Sequence, residues 1–242
     1  MEPRDVISAI AAPTGDIGAA SYFHPDTLAR GKELGLDGFR FYFLGRGGVL
    51  GDVEPEVVVS AFGYFEPGLV AKMWNSGKEI VAPRAAAREY LACNAALGRS
   101  RFADLAGLDA YNAAAAAVVA ATDLAGLALF AGIVGEPVPD DAPAAAIHHA
   151  VLLRELRGSA HLLAIRASGL QAAVAHAVQR PDDLAAFGYG DPPEITGAHR
   201  TALARAEELT DELLVPSFSV LDDGAAEALV AGTTAMHAAL ND

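Results

Sequence analysis

The sequence predicts an all-α fold, a multi-helix bundle built around a long alanine-rich central helix. Alanine and leucine dominate the chain, and apolar residues recur at three- and four-residue intervals. The period-2 alternation of β-branched residues that marks strands is scarce. Proline and glycine punctuate the periodic stretches, as helix starts and stops do.

Asp26 to Gly35 reads as a helix entered through His24-Pro25 and stopped at Gly35. An aromatic segment, Asp37 to Leu44, ends in the loop GRGGVLGD. Two helices follow over about 54–65 and 67–74, each with proline in its first turn. Beyond Pro83 the periodicity lengthens, giving helices over about 84–97 and 105–134, with breaks open at Gly107 and Gly126, and over 142–157 and 161–178. Gly158-Ser159 either interrupts that last stretch or sits within it. Serine is a good N-cap and an interior glycine costs about 1 kcal/mol, which favours a break. Phe187 to Gly197, FGYGDPPEITG, is aperiodic and reads as a loop. Helices over about 199–214 and 224–240, joined by a proline-containing turn near Phe218, finish the chain.

The small side chains of YNAAAAAVVAATDLAGLALFAG, starting at Tyr111, let neighbouring axes approach closely, so this tract is the expected central helix. A homodimer formed through it stays open. The organisation fits a helical ligand-binding domain over 1–180 with C-terminal helices over 181–242 packed on it, or one domain over the whole chain.

With 242 residues the chain can bury a continuous core without a disulfide, and the single Cys93 cannot form an internal one. Its apolar runs are short of the roughly 20 residues that cross a bilayer, and the N-terminal stretch does not read as a signal peptide. A cytoplasmic protein with no membrane association is the expectation. The formal charge is −14, with 31 acidic residues against 17 basic ones, only three of them lysine. Nucleic-acid affinity rests on neutralising phosphates, so a scattered basic minority opposes it.

The densest polar cluster is RELRGSAHLLAI, Arg154 to Ile165. On one helix Arg154, Arg157 and His161 fall at i, i+3 and i+7 on a single stripe, with Glu155 pointing away beside His148. Two guanidinium forks and a histidine suit a carboxylate or phosphate, with His161 as the proton-exchanging group if chemistry occurs. The alternative is that the arginines pair with acids on adjacent helices and His161 is a satisfied core residue. Three aromatic pieces, SYFHP, FRFYF and FGYFEP, supply either a core or the wall of a pocket for a planar ligand. Their polar tips favour the pocket, with His24, Tyr42, Arg46, Tyr64 and the nearby Trp74 as candidate ligand-binding residues. His148, His149 and His161 show no zinc-like spacing, whereas haem or another tetrapyrrole needs only one axial histidine and an apolar cavity and stays open. P-loop, GxGxxG and GxSxG patterns are absent.

The order of SYFHP, LGLDGFRFYFLGRGGVLG, FGYFEP followed by Trp74, LLRELRGSAH and RAEELTDELLVP resembles the actinobacterial SalK-type proteins, a so-called helix-turn-helix family. That resemblance implies an all-helical amino-terminal portion and a winged-helix-like segment toward the C-terminus. Here only PDDLAAFGYGDPPEIT stands between Arg180 and Gly197, too short for two helices of about eight residues with a turn, so a degenerate or truncated helix-turn-helix region is expected. Arg40 stands where the family often shows tryptophan, and RGGVLG where it often shows RAAPLG. The family carries no reaction over to these residues. The functional expectation is a small-molecule-binding protein, a role as a biosynthetic or accessory enzyme being left open, whose ligand is acidic or planar aromatic; the alternatives are a DNA-binding regulator and a haem or tetrapyrrole binder.

Overall fold

The computed structural model describes residues 1–241, and among them the chain forms twelve α-helices and no β-strand. In chain order these are α1 (Pro3–Ala19), α2 (Pro25–Glu33), α3 (Gly38–Gly47), α4 (Pro55–Phe62), α5 (Pro67–Lys78) and α6 (Pro83–Arg101). Then come α7 (Leu108–Ala121), α8 (Ala128–Val134), α9 (Ala142–Ala167), α10 (Ala172–Gln179), α11 (Gly197–Phe218) and α12 (Asp223–Asn241). Prolines open α1, α2, α4, α5 and α6, where the missing N–H leaves no bond unmade. Side chains cap several others: Asp37 accepts from the Arg40 N–H, Asp141 from Ala144, and Thr196 with His199 closes a capping box at the start of α11.

The bundle is organised around α9, which packs against α1, α6, α7, α8, α10 and α11. This corrects the expected centre. The alanine-rich tract breaks between Ala121 and Ala128, with Gly107 and Gly126 in left-handed turns at φ +81° and +78°, and its two halves lie to the side of α9. The expected interruption at Gly158-Ser159 is also absent. α9 runs unbroken to Ala167 because its buried face, from Ala144 to Ile165, takes in Ser159 and continues on both sides of the half-buried Gly158, and burial outweighs the glycine cost. The break falls instead at Ser168-Gly169, where Gly169 takes φ +76°.

α1 goes beyond the periodicity reading, which finds no helix across Pro13, Gly15 and Gly18. Its apolar face, with Val6, Ile7, Ile10 and Ile17 buried, docks on α9 and carries the helix past the proline. At Gly18 the two helices nearly touch: a Cβ there would lie 2.7 Å from Arg154 Cδ and 3.1 Å from the Ala150 carbonyl. α11 likewise passes through Pro216 to Phe218. The connection from Arg180 to Thr196 holds one short 3₁₀ turn, Pro181–Asp183, and otherwise irregular backbone. A single core joins side chains from Val6 to Met236, and a satellite core gathers the end of α9, α10 and α11 around Ile165 and Leu203.

A cavity between α1, α9 and α11

A cavity of about 620 Å³ opens where α1, α9, α10 and α11 meet the aromatic turn after α4. Its wall brings together predicted residues from three separate segments. Tyr42 and Arg46 come from one face of α3, Tyr64 from the turn, and Arg154, Arg157 and His161 from α9. The turn FGYF is held by Gly63, whose φ of +73° and missing Cβ let it close on Leu162, 2.3 Å from where a Cβ would stand. Phe62, Phe65 and Phe187 furnish the apolar side. Phe65 stacks on Phe187 at 4.2 Å between ring centroids, and Phe187 lies against the His176 ring at 3.9 Å.

Two predicted residues fall outside this wall. Trp74 is fully buried in the core, its indole N–H donating to the Val53 carbonyl at 2.9 Å. Its apolar bulk is better satisfied under α3 and α4 than beside a polar cleft. His24 caps α2, accepting from the Asp26 N–H, and borders a smaller separate cleft with Arg101 and His237.

The basic stripe is divided in two, and the counter-groups are acids of the chain itself. At one end of the cavity Glu155, 1% exposed, is wedged between two guanidiniums. Arg46 forms a two-pronged pair with it, Nε to Oε1 at 2.9 Å and Nη2 to Oε2 at 2.8 Å, and Arg154 donates to Oε1 at 2.6 Å. The Tyr22 hydroxyl donates to the same oxygen at 3.2 Å. Aromatic faces support both cations: Arg46 lies 4.5 Å from the Phe62 centroid and Arg154 4.9 Å from that of Tyr22. Burial opposes the Glu155 charge, but the Arg46 and Arg154 charges outweigh it and hold the carboxyl down at about 2. Glu155 is therefore the residue the helical phase misplaces. Arg46 and Tyr22 reach it from outside α9, and the long Arg154 side chain turns to meet it, which no single-helix projection foresees.

At the other end Arg157 donates to Glu207 of α11 at 3.0 Å and lies 3.6 Å from Asp211. His161 Nδ1 is 2.8 Å from Thr210 Oγ1, and that hydroxyl is 2.7 Å from the Ala206 carbonyl. The carbonyl can only accept, so the single hydroxyl proton goes there and His161 Nδ1 must donate to Thr210. This assignment leaves Nε2 as an acceptor, 3.5 Å from Glu207 Oε1. Burial pushes the imidazole below its ordinary value and favours its neutral form. Glu207, Thr210, Thr14 and His176 complete this site, yet none of them is singled out from the sequence.

Charge differs between the two ends. Around Glu155 two guanidiniums face one carboxylate, and around Arg157 one guanidinium faces two carboxylates. Among the described residues, Thr14 Oγ1, Arg157 Nε and His176 Nε2, all carried by cavity-lining side chains, are buried without a hydrogen-bond partner. Two glycines within helices, Gly15 of α1 and Gly158 of α9, also line the cavity, and a Cβ added to either would meet no atom within 4 Å. The remaining histidines of α9 face elsewhere: His149 Nδ1 meets Asn112 Oδ1 at 2.9 Å, and His148 is buried and pushed down to about 4 by burial and by His149.

No helix among the described residues is long and apolar enough to cross a membrane. No curated protein and no solved structure matches the chain. A family described as a helix-turn-helix family matches residues 8–186, from within α1 to the residue before Phe187. That match covers most of the chain, and the protein belongs to this helix-turn-helix family.

Proposed function

We propose that the protein binds a small acidic molecule with an aromatic or otherwise planar apolar body in the cavity between α1, α9 and α11. The observation that carries this is the Arg46–Glu155–Arg154 cluster. One carboxylate lies between two guanidiniums whose side chains are only 13% and 26% exposed, which leaves one positive charge uncompensated at the cavity wall. A partly desolvated excess charge calls for an anion, and a carboxylate or phosphate matches guanidinium geometry. The phenyl rings of Phe62, Phe65 and Phe187 supply the apolar contact. Gly15 and Gly158 support the same reading. Each gives up helix stability with no close neighbour to justify it, and each keeps open space where a side chain would otherwise stand. His24 and Trp74 have no part in it.

The family description makes a DNA-binding regulator the alternative. Against it stand the −14 charge and the pairing of Arg46, Arg84, Arg88, Arg99, Arg154 and Arg157 with acids of the chain. The connection from Arg180 to Thr196, with a single 3₁₀ turn, is consistent with a shortened SalK-type C-terminal segment.

Calorimetry with 2-naphthoate, 2-naphthamide and a mixed-sequence DNA duplex separates the readings. The expected result is 2-naphthoate binding at least tenfold tighter than the amide, with the preference lost in Arg154→Gln, and no heat from the duplex. Equal affinity for acid and amide would refute the anion site. Duplex binding in low salt, weakening steeply as salt rises, would favour the regulator.

A further inference from the structure

The cavity has a second pole that the acidic-ligand reading does not use. His161 Nε2 and Glu207 Oε1, both acceptors, face each other at 3.5 Å. The imidazole cannot turn to relieve this, because Nδ1 is committed to Thr210, itself fixed by the Ala206 carbonyl. Glu207 Oε2 accepts from Arg157 at 3.0 Å and Oε1 from Gln179 at 2.8 Å, so Oε1 keeps lone-pair capacity toward His161. Asp211, 3.6 Å from Arg157, adds a further negative charge, and the unpartnered His176 Nε2 belongs to the same wall. Two adjacent acceptors with excess negative charge are satisfied by one group that donates two hydrogens, and a cationic one most of all.

We infer that the ligand is bifunctional, with its anion at Arg46 and Arg154 and an ammonium or similar N–H donor held between His161 Nε2 and Glu207 Oε1. This rests on the proposed anion site and adds the other half of the molecule. The spacing sets the length. Arg154 and His161 are seven residues apart on α9, about 10 Å along the axis at 1.5 Å per residue. A single aromatic ring carrying an acid on one side and a short amine-bearing arm on the other spans a comparable distance. Alkyl-only acids leave the aromatic wall unused, and simple aromatic acids leave the acceptors unmet.

A matched set of three compounds tests this by titration calorimetry at neutral pH, up to about 10 mM: 4-(2-aminoethyl)benzoate, 4-ethylbenzoate and 2-phenylethylamine. They share the ring and differ only in the charged ends. The expected result is that the aminoethyl benzoate binds at least tenfold tighter than either half. In Glu207→Gln, whose side chain is partly exposed and so replaceable without loss of fold, that advantage should fall to less than threefold while 4-ethylbenzoate is unaffected. If 4-ethylbenzoate binds as tightly as the aminoethyl compound, the donor pole is refuted and the anion site stands. If the advantage persists in Glu207→Gln, the amine binds elsewhere and the inference is equally overturned. Absence of binding by both benzoates would overturn the proposed function and this inference with it.

Discussion

Replacing Gly158 separates the cavity from the helix that carries it. Gly158 lies inside α9, where alanine is favoured over glycine by about 1 kcal/mol, and the new methyl would meet no atom within 4 Å. Gly158→Ala should therefore stabilise the fold by about 1 kcal/mol. For a chain of this size that raises the midpoint of thermal unfolding by roughly 2–4 °C, readable by calorimetry or by circular dichroism at 222 nm. Gly158→Phe extends the perturbation into the open space. A phenyl ring needs roughly 150 Å³, about the volume that holds a bound benzene, against the 620 Å³ present here. The variant should stay within about 1 kcal/mol of the parent in stability yet lose at least tenfold in 2-naphthoate affinity, without altering a single charge. Destabilisation by Gly158→Ala would show that the glycine is needed by a close contact, and the cavity argument would fail. A folded Gly158→Phe protein with unchanged affinity would place the ligand somewhere other than this cavity.

Four further outcomes follow from the same geometry. Glu155→Gln leaves Arg46 and Arg154 buried against a neutral amide, so a loss of about 3–5 kcal/mol is expected in urea unfolding; a loss under 1 kcal/mol would show that the cluster is not desolvated. In the parent protein the Glu155 carboxyl, depressed to about 2 from its ordinary 4.5, contributes stability that is fully present above pH 4.5 and disappears as pH falls through 2, which an acid-unfolding series at fixed temperature can follow. Nitrogen-detected NMR should find His161, which faces Thr210, Glu207, Arg157 and Asp211, protonated at Nδ1 with a midpoint below 6.5, and Glu207→Gln should lower it further by removing an acid that favours the imidazolium; an Nε2–H tautomer would contradict the hydrogen-bond chain. Gly18→Ala forces a Cβ to within 2.7 Å of Arg154 Cδ, so it should cost about 1–3 kcal/mol and lower the unfolding midpoint, whereas an unchanged midpoint would mean that α1 and α9 part freely.

The aromatic residues of FGYF and the Arg154–His161 stripe were legible in the sequence because each lies within a short stretch of chain. Proline-opened helices, the irregular stretch near Phe187 and the breaks at Gly107 and Gly126 belong to the same class. The turn at Gly63 was not legible, since the periodicity carries a helix through to about 65 and the helix stops at Phe62. Residues whose role depends on a partner far along the chain were not legible either. Glu155 is claimed by Arg46, 109 positions away, and His161 by Thr210, 49 positions away, so helical phase alone sends both arginines to one face. Pro13 and Gly158 carry real local costs, and only burial against α9 and along its length overrides them. Trp74 shows the converse: an aromatic residue near a pocket motif is drawn into the core because that is where its whole surface can be covered. By itself the sequence determined the all-helical class, the acidic charge and the residue types of the cavity wall. Which acid meets which base, and hence the opposite charge of the cavity's two ends, was decided only by tertiary packing, because electrostatic pairing depends on distance through space and not on separation along the chain.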